Sequence, residues 1–113
     1  MIRSLTECER TITTSLLIVA GLKAENFHSQ AEILVKVLDD GGMGSLEFAS
    51  QNDDRTFGKA ASQCSFFDDD GIEVIITLNL DQRGEPYELD VWKTDHSQLI
   101  NLENALNSKC EVV

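Results

Sequence analysis

The sequence predicts an α+β domain in which an N-terminal helix packs on a four- or five-stranded antiparallel β-meander, followed by a short C-terminal helical segment. Helical spacing of apolar residues dominates the N-terminal segment, and several short runs of apolar and alternating residues follow it. Turn-forming residues separate these runs closely. Because parallel strands need long crossovers, the short turns favour antiparallel pairing.

The first predicted element is a helix over about residues 6–20. Thr6 can cap it, and Glu9 completes a capping box three positions later. Ser4 with Glu7 offers the same pattern slightly earlier. The stripe that should face the core is Leu5, Cys8, Ile12, Leu16 and Val19.

The remaining elements are predicted from residue 33 onward. Strand-length runs rich in β-branched or alternating apolar residues lie at 33–38, 46–48, 62–67, 72–80 and 86–92. Residues 24–31 are expected to be a connector or a short helical turn, and residues 50–59 a polar loop. A short helix or turn should begin near Ser97, and residues 108–113 should be frayed.

The size and composition indicate one domain over residues 1–113, ordered over about 4–106. A chain of 113 residues with 42% apolar residues can form one core without disulfides or metals. The odd number of cysteines, three without a Cys-x-x-Cys pair, favours reduced thiols in the cytoplasm. No run approaches the ~20 apolar residues of a membrane span, and no secretory signal is recognisable.

The net charge of −11 is the unusual feature of the composition. It arises from 20 acidic and nine basic residues, whereas a small soluble domain needs a charge of only about 2–8 to stay dispersed. Nucleic acids and anionic membranes are bound through Lys and Arg. The charge therefore argues against both as direct partners and favours a cationic protein.

The acidic residues concentrate in the predicted turns. The candidate contact residues there are Asp39, Asp40, Asp53, Asp54, Asp68, Asp69 and Asp70. Asp81 and Glu85 form a further acidic turn. If these turns are neighbours, their joint field speeds the capture of a basic partner. If they are dispersed, they form an ordinary solvated surface.

Trp92 is the candidate anchor for a partner. If Leu89 and Val91 face the core, Trp92 shares the opposite face of its strand with Glu88 and Asp90. One interpretation is that the C-terminal segment covers this face. The other is an aromatic anchor with an acidic rim, which is typical of protein-binding hot spots.

Motifs for cofactor or metal chemistry are weak, so no cofactor and no metal site are expected. The acidic run 68–73 invites comparison with an EF-hand loop. Aligning Gly71 to its sixth position, however, puts Phe66 and Thr77 where Asp and Glu are required. The glycines in 41–44 lack the Gly-Lys-Ser/Thr of a phosphate-binding loop.

The histidines leave one enzymatic alternative open. His28 and His96 are the two histidines, and His96 follows Asp95 directly. Catalytic triads assemble across a fold and cannot be seen in sequence spacing. The alternative is therefore a small enzyme or ligand-binding domain with a site near Asp95, His96 and Trp92. Because no catalytic constellation is visible, a binding protein without enzymatic activity is favoured.

Several stretches resemble a family of small bacterial domains of unknown function: 40–46, 67–71, 78–81 and 87–95. Residues 88–93 are the most specific of these, and the resemblance covers roughly residues 4–100. The family has no assigned active site, so the resemblance implies no functional residue. Small acidic bacterial proteins of this kind also resemble immunity proteins, including those of contact-dependent growth inhibition. That resemblance implies a cytoplasmic inhibitor of one cognate toxin domain.

The expected function is an immunity-type inhibitor that binds and neutralises a cognate basic toxin domain, with a nuclease as the expected toxin. Its candidate contacts are the seven turn aspartates together with Glu88, Asp90 and Trp92. A second alternative is an acidic DNA mimic that blocks a DNA-binding protein.

Overall fold

The computed structural model describes residues 1–25, 27 and 32–113. Within them the chain forms one helix, one 3₁₀ helix and a seven-stranded sheet in the order β1-β2-β3-β6-β5-β4-β7. All neighbouring strands are antiparallel. The elements are β1 Ile2–Ser4, α1 Glu7–Val19, β2 Leu34–Val37, β3 Leu46–Phe48, β4 Phe57–Phe67, β5 Glu73–Asp81, β6 Pro86–Lys93, the 3₁₀ helix Leu102–Asn107 and β7 Cys110–Val112.

Helix α1 begins at the predicted capping box. The Glu9 N–H donates to Thr6 Oγ1 at 3.2 Å, and the Thr6 N–H donates to the Glu9 carboxylate at 2.9 Å. Arg3 of β1 donates two further hydrogen bonds of 2.8 Å to the same carboxylate. Burial opposes the charge on Glu9, but the bonds from Arg3 and Thr6 outweigh it and lower the pKa of this carboxyl. Because Arg3 belongs to β1, its hydrogen bonds to Glu9 also hold β1 against the start of α1.

The hydrophobic core lies between α1 and one face of the sheet. The predicted alternation in β5 and β6 is confirmed, since the core-facing side chains Val74, Ile76, Leu78, Leu80, Leu89 and Val91 are all buried. Helix α1 contributes Ile12, Leu16 and Leu17, and Ser62 of β4 donates a 2.7 Å hydrogen bond to the Leu16 carbonyl. Burying one such aliphatic side chain contributes about 1.5–3 kcal/mol.

The α+β class and the N-terminal helix are confirmed, but the predicted strand count of four or five is wrong. The two additional strands, β1 and β7, are the edges of the sheet and have three residues each. Strands this short show no periodic pattern in the sequence. The structure has β7 within residues 108–113, the segment expected to be frayed.

The connections also differ from a simple meander. Strand β3 pairs with β6, and β4 lies three positions away in the sheet. The polar stretch after β3 is therefore a crossover. It is also shorter than the predicted loop 50–59, because β4 already begins at Phe57. Residues 57–59 are exposed. Because neither face of the strand is buried there, apolar and polar residues need not alternate, and the sequence shows no strand pattern.

The C-terminal helical segment is present as the 3₁₀ helix, which begins five residues after Ser97 at Leu102 and buries Ala105. Of the predicted connector 24–31, residues 26 and 28–31 lie outside the described part of the chain. Among the helices that are described, none has the length and apolar character needed to cross a membrane.

Candidate interaction surface

The sheet face opposite α1 is uncovered within the described residues. Helix α1 and the 3₁₀ helix both bury their side chains on the other face. We call the outward side of the four central strands the open face. It consists of Glu47, Gln63, Ser65, Phe67, Glu73, Ile75, Thr77, Asn79, Glu88, Asp90 and Trp92. All of these side chains are half-buried or exposed.

One half of the open face is acidic. Glu47 of β3 lies directly opposite Glu88 of β6, and Asp90 follows two residues further along β6 on the same side. No ion pair recorded for the described residues includes these three carboxylates. Like charges at directly opposed positions destabilise a sheet, and Lys36 of β2, which lies opposite Glu47 on its other side, offsets part of this repulsion.

Two of these carboxyls hold their protons more tightly than usual. Partial burial raises the pKa of Glu88, and the charges of Glu47 and Asp90 raise it further, against the opposing hydrogen bond with Asn79 and the charge of Arg55. Partial burial also raises the pKa of Asp90, with a further contribution from Asp40. Carboxyls perturbed by burial and by like charges are characteristic of functional surfaces. A cation placed among them would favour the ionised form of both carboxyls.

The other half of the open face is aromatic. The Trp92 side chain is 42% exposed and lies opposite Ile75. Phe67 is 64% exposed and lies diagonally from Ile75 across the β4–β5 pair, which is within the reach of an aromatic side chain. The His96 ring meets the Trp92 ring at a centroid distance of 6.3 Å. Of the two interpretations of Trp92, the described residues therefore support the exposed one.

Phe67 and Glu47 belong to this surface but are absent from the residues proposed from sequence. Phe67 directly precedes an aspartate turn, and Glu47 belongs to a three-residue strand. Each would have been found by asking which residues lie on the same face as Trp92 and Glu88 on neighbouring strands. The answer depends on the strand order, because β3 and β6 are neighbours in the sheet but not in the sequence.

The acidic turns are divided between two ends of the sheet. At one end the turn after β2 meets the segment after β6, where the Leu99 N–H donates to the Gly42 carbonyl at 3.1 Å. Asp68 and Lys93 meet at this same end. At the opposite end Arg83 forms a 2.8 Å ion pair with Asp54. The turns are thus not one continuous cluster.

Several of the candidate turn aspartates bind the protein's own groups. Asp40 accepts hydrogen bonds from the N–H groups of Met43, Gly44 and Ser45 at 3.1, 3.4 and 2.9 Å. Asp70 accepts one from Lys93 at 2.7 Å. The exposed members are Asp39, Asp53, Asp54, Asp69 and Asp70.

Asp68 is the most enclosed of these residues. Its side chain and that of Lys93 are both 0% exposed, and the Lys93 ammonium donates to its carboxylate at 2.8 Å. The N–H groups of Ile100 and Asn101 donate to it at 2.8 and 2.9 Å. Burial opposes the charge of Asp68, but the bonds from Lys93 and the backbone outweigh it and lower its pKa to about 2. Asp68 therefore anchors the segment after β6.

The low pKa of Asp68 predicts a specific acid response. Because its pKa is about 2 in the folded protein against an ordinary 3.8, its ionised form stabilises the fold fully above about pH 4. This contribution is lost as the pH falls from about 4 to 2. We expect the stability difference between the wild type and Asp68→Asn to narrow over that window in urea unfolding curves. A difference that stays constant down to pH 2 would contradict the assignment.

Asp95 and His96, which the enzymatic alternative places in an active site, lie in a turn after β6. Asp95 accepts hydrogen bonds from the Ser97 hydroxyl at 2.6 Å and from its N–H at 3.0 Å, and these bonds lower the pKa of Asp95. His96 has a positive φ of 64° and contacts Trp92. His28 lies outside the described residues. Within the described residues, no group of three or more His, Cys, Asp or Glu side chains could hold a metal ion.

Comparison with known proteins identifies a family without an assigned activity. Neither the curated proteins nor the solved structures contain a match to this chain. The sequence model of the domain of unknown function DUF6984 matches residues 2–103. That match includes α1, β1 to β6 and the whole open face, so this chain belongs to the DUF6984 family.

Proposed function

We propose that this protein is an immunity-type inhibitor that binds and neutralises a cognate basic bacterial toxin domain through the open face. The observation that carries the proposal is the placement of Glu47, Glu88 and Asp90 beside an exposed Trp92 on one uncovered sheet face. The net charge of −11 supports a cationic partner.

The acidic half supplies long-range attraction and part of the specificity. Lys or Arg side chains of the toxin domain would lie between Glu47 and Glu88, which are already opposed on adjacent strands. Their arrival replaces carboxylate repulsion with attraction and lowers the raised pKa of Glu88. Such charge complementarity accelerates association and makes it sensitive to salt.

The aromatic half supplies short-range affinity. Trp92, Ile75 and Phe67 offer a partner apolar surface next to the carboxylates. Aromatic residues at the centre of an interface with a polar rim contribute a large share of binding energy. A sheet face is rigid, so little ordering entropy opposes docking.

A nuclease is the proposed class of toxin. Its active cleft presents Lys and Arg to phosphates, and closely spaced carboxylates on the open face offer those cations an alternative anion. An inhibitor that occupies the cleft in this way needs no catalytic residue or cofactor of its own. The same charge would suit a DNA-binding protein, so the test distinguishes that class of partner from a toxin.

The test requires a candidate toxin, for which we would take any basic toxin domain encoded immediately upstream of this gene. We expect the full-length protein to bind it and block its activity, with weaker binding at high salt. The variant Glu88→Lys with Asp90→Lys should bind at least about 100-fold more weakly and lose protection. The matched control, Glu7→Lys with Glu103→Lys, changes the net charge equally at exposed positions of α1 and the 3₁₀ helix, which pack on the opposite side of the sheet. It should lose only about tenfold or less.

Trp92→Ala tests the aromatic half separately, with an expected loss of about 10- to 100-fold in affinity. Absence of binding and of protection by the wild type would refute the immunity function. Equal losses in both charge variants would refute the open face as the contact surface. Binding only to a chromosomal DNA-binding protein would replace the toxin with the DNA-mimic alternative.

A further inference from the structure

Two cysteines that are distant in sequence lie directly opposite each other at the edge of the sheet. Cys64 of β4 and Cys110 of β7 are register partners across the β4–β7 pair, and each thiol affects the pKa of the other. Both are free thiols. They line one small cavity of about 30 Å³, together with Ser108 and Ala105.

The hydrogen-bond pattern of β4 and β7 brings these residues especially close. The Val113 N–H donates to the Ala61 carbonyl at 3.2 Å, so those two residues form a hydrogen-bonded pair. Hydrogen-bonded and non-hydrogen-bonded pairs alternate along an antiparallel ladder. Counting three residues along each strand makes Cys64 and Cys110 a non-hydrogen-bonded pair, for which the Cα atoms are about 4.5 Å apart. A disulfide spans this separation without backbone movement.

We propose that Cys64 and Cys110 are a redox pair that closes to an intramolecular disulfide by exchange with a low-molecular-weight disulfide such as oxidised glutathione. This assignment is independent of the open face and of the toxin partner. It gives the C-terminal strand two states, one held to β4 by hydrogen bonds and one held covalently.

The exchange occurs in two steps. The Cys110 thiolate attacks one sulfur of oxidised glutathione, forming a mixed disulfide and releasing one glutathione, which takes up the proton lost by Cys110. The Cys64 thiolate then attacks the Cys110 sulfur and displaces the second glutathione, which takes up the remaining proton. Two protein thiols are oxidised to one disulfide, and one glutathione disulfide is reduced to two thiols. Cys110 reacts first because it is half-buried on a terminal strand, whereas Cys64 is buried.

The environment of the pair makes the reaction slow at neutral pH. Burial raises the pKa of Cys64, and burial together with the neighbouring Cys64 raises the pKa of Cys110 to about 11. Because the thiolate is the attacking species, the rate should rise about tenfold per pH unit below that value. The pair would therefore respond to sustained oxidation and not to a brief pulse.

Formation of the disulfide would mainly affect β7 and the elements that contact it. Strand β7 has three residues and pairs with β4 alone in the described sheet, and it also packs against α1. A bond between residues 64 and 110 restricts the unfolded chain over a long loop and so stabilises the folded state.

The test incubates the full-length wild type with excess oxidised glutathione at about pH 8.5, then alkylates the remaining thiols after denaturation. We expect one alkylated cysteine instead of three, a mass loss of about 2 Da before alkylation and a peptide that links Cys64 to Cys110. The thermal midpoint should rise by about 10 °C and return on reduction. Cys8→Ser, the matched control, should close the same bond, whereas Cys110→Ser should show neither the mass loss nor the rise.

Three results would each overturn the assignment. The first is retention of all three thiols after prolonged oxidation. The second is a stable glutathione adduct on Cys110 without ring closure. The third is a linkage that involves Cys8.

Discussion

Asp68→Ala is expected to lower the free energy of unfolding by about 3–5 kcal/mol, the range for removing one partner of a buried ion pair. The substitution leaves the enclosed Lys93 ammonium without its 2.8 Å carboxylate partner. It also removes the acceptor of the Ile100 and Asn101 N–H groups, and buried donors without partners add to the loss. Urea unfolding at about pH 7 measures the change.

Asp39→Ala is the control for Asp68→Ala, because Asp39 is an exposed turn aspartate and should change stability by less than about 0.5 kcal/mol. The second carboxylate on Lys93, Asp70, remains in the variant, so the loss should fall in the lower part of the range. Equal effects of the two substitutions would show that Asp68 is no more structural than an ordinary surface aspartate. A large effect would mean that Asp68 serves the fold and is not a contact for a partner.

Gly58→Ala is expected to destabilise the protein by about 3 kcal/mol, the upper part of the usual range for overpacking. Gly58 lies where the β4–β5 register shifts, between Phe57 and Lys59. A Cβ atom there would lie 2.2 Å from the carbonyl oxygen of Asp81 and 2.6 Å from its carbonyl carbon. Because the obstacle is backbone, relief requires the strands to separate.

The control for Gly58→Ala is Gly71→Ala, measured in the same thermal and urea unfolding experiments. Gly71 has a φ of +79°, but no atom lies within 4 Å of an added Cβ. Its expected loss is about 1–2 kcal/mol, caused by the left-handed backbone alone. If Gly58→Ala were the milder of the two, the close approach of β4 to β5 at this point would be disproved.

Neighbouring residues in the sequence were sufficient to predict the local elements. The Thr6–Glu9 capping box specifies where α1 begins, since both of its hydrogen bonds lie within four residues. The alternation from Val74 to Leu80 specifies which side of β5 is buried, because side chains alternate strictly along a strand. The face of Trp92 follows from the same rule.

The functional surface required the tertiary arrangement. Glu47 and Glu88 are 41 positions apart and become opposed because β3 pairs with β6. The aspartates of the turns look alike in sequence, yet Asp68 is buried against Lys93 whereas Asp39 is exposed. Whether a charged side chain serves the fold or a partner depends on what lies across the sheet from it, and no local pattern encodes that.

The sequence by itself determined the α+β class, the start of the helix, the buried faces of the central strands and the strong negative charge. These follow from local backbone preference, from side-chain periodicity and from composition. Only the tertiary structure decided the strand order, the two short edge strands, the joining of acidic and aromatic residues on the open face and the contact between Cys64 and Cys110. Each of these depends on pairing between distant segments, which is selected by the burial and hydrogen bonding of the whole sheet.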